Sequence, residues 1–186
     1  MSHLRPAWND KKQDFDAGFS RALELVREEF VDRVLYYGNV WWAARDIVVK
    51  ALEQRFSVHS SGQVLDFAEG GAPWKEHLFE LEEEQDIGRG AVGNGNGAGH
   101  DKILFVIYVD QNGMWRVQCV PVRPASFENR LSLPAQWRGV RDDELVKVSG
   151  VEGATFVHSG GFIGGNKTRE GAIRMIELTM QGSKST

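Results

Sequence analysis

The chain has 186 residues and a mass of 20.8 kDa, with 41% apolar residues, 26% charged residues and a formal net charge of −4. A chain of this length hides roughly two thirds of its unfolded surface on folding, and the composition excludes a disordered, collagen-like or disulfide-stapled polypeptide. No apolar run approaches the ~20 residues that span a bilayer, and the first residues lack the apolar stretch of a signal peptide, so an intracellular protein with no membrane partner is expected.

His3-Leu4-Arg5-Pro6 reads like mid-chain sequence, which leaves room for a targeting segment upstream. From Phe15 the apolar positions Phe15, Phe19, Ala22, Val26 and Phe30 recur at spacings of three and four with charges between them, which predicts a long amphipathic helix. Gly38 and Asn39 are expected to end it as turn or C-cap residues. A second helix repeats the pattern through Trp42, Ile47, Val49, Leu52 and Phe56. The aromatics Tyr36, Tyr37, Trp41 and Trp42 at the junction are expected to serve packing. These residues define a first region, 1–57, a helical pair, and residues 58–186 are expected to form a second, α/β region.

That second region opens with the alternating run Gln63-Val64-Leu65-Asp66-Phe67, a strand, and continues through a helix beginning near Pro73. Glu82, Glu83 and Glu84 follow one another on that helix and point in different directions, so a solvated face is expected there, not a metal site. The stretch 86–100 carries six glycines between residues 88 and 99 and is read as a flexible surface loop. Residues 102–109 and 114–120 read as strands joined through Asn112-Gly113, a hairpin signal. Cys119, the single cysteine, falls in the second of these and is expected to be a buried structural thiol. After three prolines, residues 141–148 read as a helix whose early acids serve as caps. The sum is an α+β protein, an N-terminal helical pair followed by a mixed sheet flanked by helices.

Charge is unevenly spread. Residues 61–100 hold two basic and eight acidic side chains, whereas Arg116, Arg123, Arg130, Arg138 and Arg141 face the single acid Glu128 within 116–141. A modestly anionic chain can therefore present a cationic face. The segment Ala154-Thr155-Phe156-Val157-His158-Ser159-Gly160-Gly161-Phe162-Ile163-Gly164-Gly165-Asn166-Lys167-Thr168-Arg169 reads as strand, glycine-rich turn, helix. Thr168 or Asn166 can cap that helix, whose inner face holds Ala172, Ile173, Ile176 and Met180, and free amides at its start attract an anion. Lys167 and Arg169 oppose the helix dipole at that end, which a bound anion would relieve. The alternative is a tight turn that uses glycine for steric reasons only. His158 divides between donating to a phosphate and steadying the turn. The register of a Walker loop is not met, and Ser159 beside His158 does not read as a nucleophile.

Phe156-Val157-His158, Gly161-Phe162-Ile163-Gly164-Gly165 and Thr168-Arg169-Glu170-Gly171-Ala172 resemble the C-terminal signature of the melanocyte-proliferating-gene family. Trp8-Asn9, Gln13-Asp14, Glu28-Glu29-Phe30, Pro73-Trp74-Lys75-Glu76-His77-Leu78, Ser126-Phe127-Glu128-Asn129-Arg130 and Trp137-Arg138-Gly139-Val140-Arg141-Asp142 extend the likeness along nearly the whole chain. The resemblance implies a DHH-superfamily phosphoesterase, a metal-dependent 3′-5′ RNA exonuclease of nucleus and mitochondrion, of which this chain is similar to the C-terminal half, with 1–57 as an interdomain helical pair and 58–186 as an α/β substrate-binding domain resembling the DHHA1-like domain of such phosphoesterases. It implies a manganese or magnesium ion in an N-terminal catalytic domain outside this chain and no cofactor or catalytic residue here. The implied partners are RNA or oligonucleotide phosphate and that N-terminal domain, with self-association left open. The expected phosphate-binding set is His158, Ser159, Gly160, Gly161, Gly164, Gly165, Asn166, Lys167, Thr168 and Arg169, joined by Arg130, Arg138 and Arg141. Gly160 replaces a serine usual in the family, which removes one hydroxyl, and the glycine-rich 88–99 stretch is an insertion. The rival expectation is a non-catalytic interaction module whose helical pair docks on a partner.

Overall fold

A computed structural model describes residues 4–67, 69–88 and 102–183. They divide into two compact units, Met1–Ala43 and Ala44–Thr186. In the first, helix α1 (Phe15–Tyr36) starts where Asp14 accepts a hydrogen bond from the Ala17 amide at 2.9 Å. Gly38 and Asn39 do not end the helical path as expected. They lie inside a π-helical turn, Tyr37–Trp41, closed by the Trp42 amide on the Tyr37 carbonyl at 3.0 Å. The aromatics at this turn pack on one another, with Tyr36 against Tyr37 and Tyr37 against Trp41 edge to face, and the two tyrosines remain half exposed.

The second unit is a five-stranded mixed sheet with helices on both faces. Helix α2 (Ala44–Val58) lies on β1 (Val64–Phe67), and α3 (Lys75–Glu84) makes the crossover to the parallel strand β2 (Phe105–Val109). The β2–β3 hairpin, with β3 at Trp115–Cys119, is the one read from the sequence, and Asp110 Oδ1 accepts from the Asn112 and Met114 amides in its turn. Helix α4 (Asp142–Ser149) leads to β4 (Ala154–Val157), β5 (Ile163–Asn166) and α5 (Arg169–Ser183). The sheet order is β1-β2-β3-β5-β4. The acids Asp142, Asp143 and Glu144 occupy the first turn of α4 without capping it, since no side-chain cap bond is made there, and they act through the helix dipole alone.

Alternation along the strands divides the core. Phe105, Ile107, Val117 and Cys119 face Leu145 of α4 and Met175 and Ile176 of α5. Leu65, Phe67 and Val106 face Val48 and Leu52 of α2 and Leu78 of α3. Each fully buried side chain of this size contributes about 1.5–3 kcal/mol. The glycine-rich stretch expected to be a surface loop lies, from residue 89 on, outside the described residues.

Candidate phosphate-binding surface

The expected strand, turn and helix around residues 154–169 resolve into a β-hairpin followed by a helix, because Ile163–Asn166 forms a strand between turn and helix start. Two adjacent glycines carry no apolar alternation, so the strand leaves no trace in a hydrophobic pattern. Its glycines are packing devices. A Cβ on Gly164 would stand 3.0 Å from a Leu133 methyl and 3.1 Å from the Met175 methyl, and one on Gly165 would meet Arg116, Thr155 and Phe156 at 2.6–2.8 Å. Both are buried, as is Asn166, whose amide donates to the Glu152 carbonyl at 2.9 Å and whose Oδ1 accepts from the Thr168 amide.

The expected residues therefore separate into two groups, at opposite ends of a four-residue strand and about 13 Å apart by strand rise. At the turn, His158, Ser159 and Gly160 are exposed, and the Gly160 amide donates to His158 Nδ1 at 3.0 Å. In the neutral imidazole that bond leaves the proton on Nε2, a donor free to meet an incoming oxygen. Gly161 has φ +68° and lies beneath Arg138, whose Nε donates to the Leu133 carbonyl at 3.0 Å, so the turn and the arginine are held together. At the helix start, Thr168 caps α5 by accepting from the Gly171 amide at 3.0 Å, and Lys167 is exposed. Arg169 is 36% exposed and donates through Nε to Asp66 of β1 at 2.7 Å, a carboxylate only 10% exposed.

Arg130 is positioned elsewhere. Its guanidinium forms a two-pronged pair with Glu82 at 2.6 Å, the side chains being 7% and 5% exposed, and it also donates to the Ile103 carbonyl. Glu82 is thus not part of a solvated face, and its sequence neighbour Glu84 pairs with Arg45 of α2. Arg141 is exposed, with its guanidinium 5.8 Å from the Phe156 ring centre, and Arg116 approaches the same ring at 5.0 Å while paired with Asp110. The Met114 amide, with those of Asn112 and the Arg116 charge, holds the Asp110 carboxyl below its ordinary range. Arg116 and Phe156 were not in the expected set. The signal that places them is cross-strand register, Arg116 opposite Gly165 opposite Phe156, which no local pattern carries.

Arg138, Arg141 and Lys167 make no ion pair among the described residues, and they are what an anion would meet on this surface. A cleft of about 520 Å³ lined by His59, Ser61, Gln63 and Glu177 carries no lysine or arginine and offers an anion nothing comparable. Among the described residues no group of three or more His, Cys, Asp or Glu side chains is placed to hold a metal ion, so they do not fit the divalent ion the resemblance implies. Cys119 is buried and makes no disulfide, and burial pushes its thiol up to about 12, away from the thiolate form. No helix among the described residues is long and apolar enough to cross a membrane.

Comparison with known proteins places these observations. The family model described as Uncharacterised protein family (UPF0160) matches residues 1–180. The chain is 51% identical over 180 residues to the MYG1 exonuclease of Rattus norvegicus, covering 97% of this chain and 44% of that protein. It is 48% identical to the MYG1 exonuclease of Homo sapiens, with 97% and 45% covered, and 38% identical to a MYG1 protein of Saccharomyces cerevisiae, with 97% and 50% covered. The chain spans about half the length of the curated relatives it matches. No solved structure matches it.

Proposed function

The chain belongs to the MYG1 exonuclease family, and from that premise we propose that it is the substrate-holding part of a metal-dependent, DHH-like phosphoesterase that removes nucleotides from the 3′ end of RNA. The catalytic metal ions and their ligands belong, in this reading, to the part of the longer relatives outside this chain, and the chain alone is inactive. The observation that supports the reading is the set of cations that make no ion pair among the described residues, Arg138, Arg141 and Lys167, beside the β4–β5 hairpin of a chain whose net charge is −4. His158 Nε2 adds a ring donor at the turn. Such groups hold and orient a phosphodiester without acting on it, and preorganised donors of this kind serve a reaction whose bond-breaking groups are supplied elsewhere.

Arg130 is left out of the proposed surface, because withdrawing it from Glu82 would strand a buried carboxylate. Arg169 is a poor probe for the same reason, since its loss would expose Asp66 as an unpaired buried group. Lys167→Ala is the clean test. Titration of the chain with a mononucleotide and a short RNA, followed by amide NMR shifts, is expected to perturb the 158–162 turn and residues 167–168, and Lys167→Ala is expected to weaken binding several-fold. Absence of binding at millimolar ligand by both this chain and the longer protein defeats the reading.

A second reading, a non-catalytic interaction module, is favoured by one feature. On α1, Phe15, Phe19, Leu23, Val26, Phe30 and Val34 form a single stripe and are between 53% and 69% exposed. Under that reading Lys167→Ala leaves nucleotide binding unchanged.

A further inference from the structure

The most exposed apolar side chain in the second unit is neither in the core nor in the expected phosphate-binding set. Phe127 stands fully in solvent at the tip of the loop that follows β3. That loop is built, not loose. Pro121 bridges Asn129, the Val122 amide donates to the Glu128 carbonyl at 2.9 Å, the Ser126 amide donates to the Arg123 carbonyl at 3.0 Å, and the Glu128 amide donates to Ser126 Oγ at 3.0 Å. Asn129 is tied in turn to Ser132 at 2.9 Å. A chain that spends four hydrogen bonds on holding a loop, and then sets a phenylalanine at its tip with no apolar neighbour, gains nothing in folding from the ring.

The root of this loop adjoins the β4–β5 turn. The Cys119 amide, at the end of β3, donates to the Phe162 carbonyl at 2.8 Å, and the Leu133 amide, where the chain returns from the loop, donates to the Gly161 carbonyl at 2.9 Å. Phe162 is itself 38% exposed, and its ring centre lies 4.6 Å from that of His158 with the two planes tilted by 54°. One end of the sheet therefore carries two exposed aromatic rings together with Arg123 and Arg138, exposed guanidiniums without an ion pair among the described residues, and the exposed acid Glu128. From the root at Val120 to Arg123 is about 10 Å of chain, which carries positive charge from the root toward the tip.

Aromatic faces alternating with cations are what an unpaired nucleic acid strand requires, because every base has a π face to stack and every linkage a charge to neutralise. Duplex RNA hides those faces and would find little here. We propose that Phe127 and Phe162 are base-stacking residues for single-stranded RNA, and that the strand runs from the β4–β5 turn toward the tip of the 121–129 loop with Arg138 and Arg123 on its phosphates. The proposal rests on the reading of this chain as the RNA-holding part of an exonuclease and names which end of the sheet grips the bases.

Phe127 touches nothing, so Phe127→Ala retains the fold, and Phe162→Leu keeps the apolar bulk beside His158 while removing the aromatic face. Affinity of the 186-residue chain is measured for a single-stranded RNA, for an abasic oligonucleotide of equal length and for a duplex. Phe127→Ala and Phe162→Leu are each expected to weaken single-stranded RNA by about fivefold to a hundredfold, to leave the abasic strand unchanged, and Phe127→Trp is expected to restore binding. Unchanged affinity for single-stranded RNA in both variants overturns the proposal, and so does an equal loss on the abasic strand. In those outcomes wild-type binding to the abasic strand still supports the phosphate-holding reading, whereas failure of the wild-type chain and of the longer protein to bind any of the three removes both.

Discussion

Glu82 and Arg130 show how far a side chain's role departs from its local surroundings. Glu82 stands among consecutive acids on α3 and Arg130 among scattered arginines in an irregular stretch, yet 48 residues apart they form a nearly solvent-free pair in which each carboxylate oxygen receives a guanidinium nitrogen at 2.6 Å. The Arg130 plane also lies 4.7 Å from the Phe79 ring centre, and Glu82 Oε1 accepts from the Ile103 amide at 3.0 Å, so the pair stitches α3 and the start of β2 to the segment after β3. Removing one member leaves the other charged and buried. Glu82→Ala is therefore expected to destabilise the chain by about 3–5 kcal/mol, read as a lower urea midpoint with little change in slope. Arg138, Arg141 and Lys167 were legible as cations in the sequence. Which arginine was free and which was spent was not, because pairing depends on neighbours brought together by the sheet.

At the element scale the helices themselves were legible, since apolar residues recur on them at three- and four-residue spacing, but the buried face followed only in part: the apolar stripe of α1 stays exposed, and Ile47 and Phe56 of α2 are 37% and 48% exposed. On α5 the expected Ala172 and Ile176 are fully buried, with Met175 and Thr179 beside them. The hairpin of β2 and β3 was equally legible through Asn112-Gly113. Strand β5 was not, because its sequence, Ile-Gly-Gly-Asn, has almost no side chains to alternate. Its glycines matter through what they leave room for. At Gly165 a Cβ would meet a guanidinium, a hydroxyl and a ring all closer than 3.0 Å, so Gly165→Ala is expected to cost about 1–3 kcal/mol and to disturb Arg116 and Phe156. Gly160→Ser, at the turn, meets only ordinary contacts at 3.4 Å and is expected to leave stability unchanged. Thermal melting of the two variants side by side checks both expectations.

For the whole molecule the net charge is a poor guide to partners. A chain of net charge −4 repels a polyanion on average, but residues 61–100 hold eight acids against two basic side chains, while the 121–129 loop and the segments beside the β4–β5 hairpin carry cations that make no ion pair among the described residues. Binding of single-stranded RNA by this surface is expected to weaken steeply with salt, with a logarithmic slope of about −0.7 per phosphate neutralised. Arg138→Ala is expected to reduce the magnitude of that slope by about 0.7, the share of one phosphate, measured by titrations between low and physiological ionic strength. A salt-independent affinity contradicts a phosphate-binding role for the surface.

Length, composition, helical periodicity and one strong hairpin signal determined the α+β class by themselves, and the run of motifs from Trp8 to Ala172 determined the family. Those features are local, carried by residues within a turn or two of one another. Only the tertiary structure decided that the glycine pair after Phe162 is a packed strand, that Arg130 and Arg169 already have carboxylate partners, and that Phe127 and Phe162 rise from one end of the sheet. Each depends on cross-strand register and on contacts between residues dozens of positions apart, which a sequence encodes only through the fold as a whole.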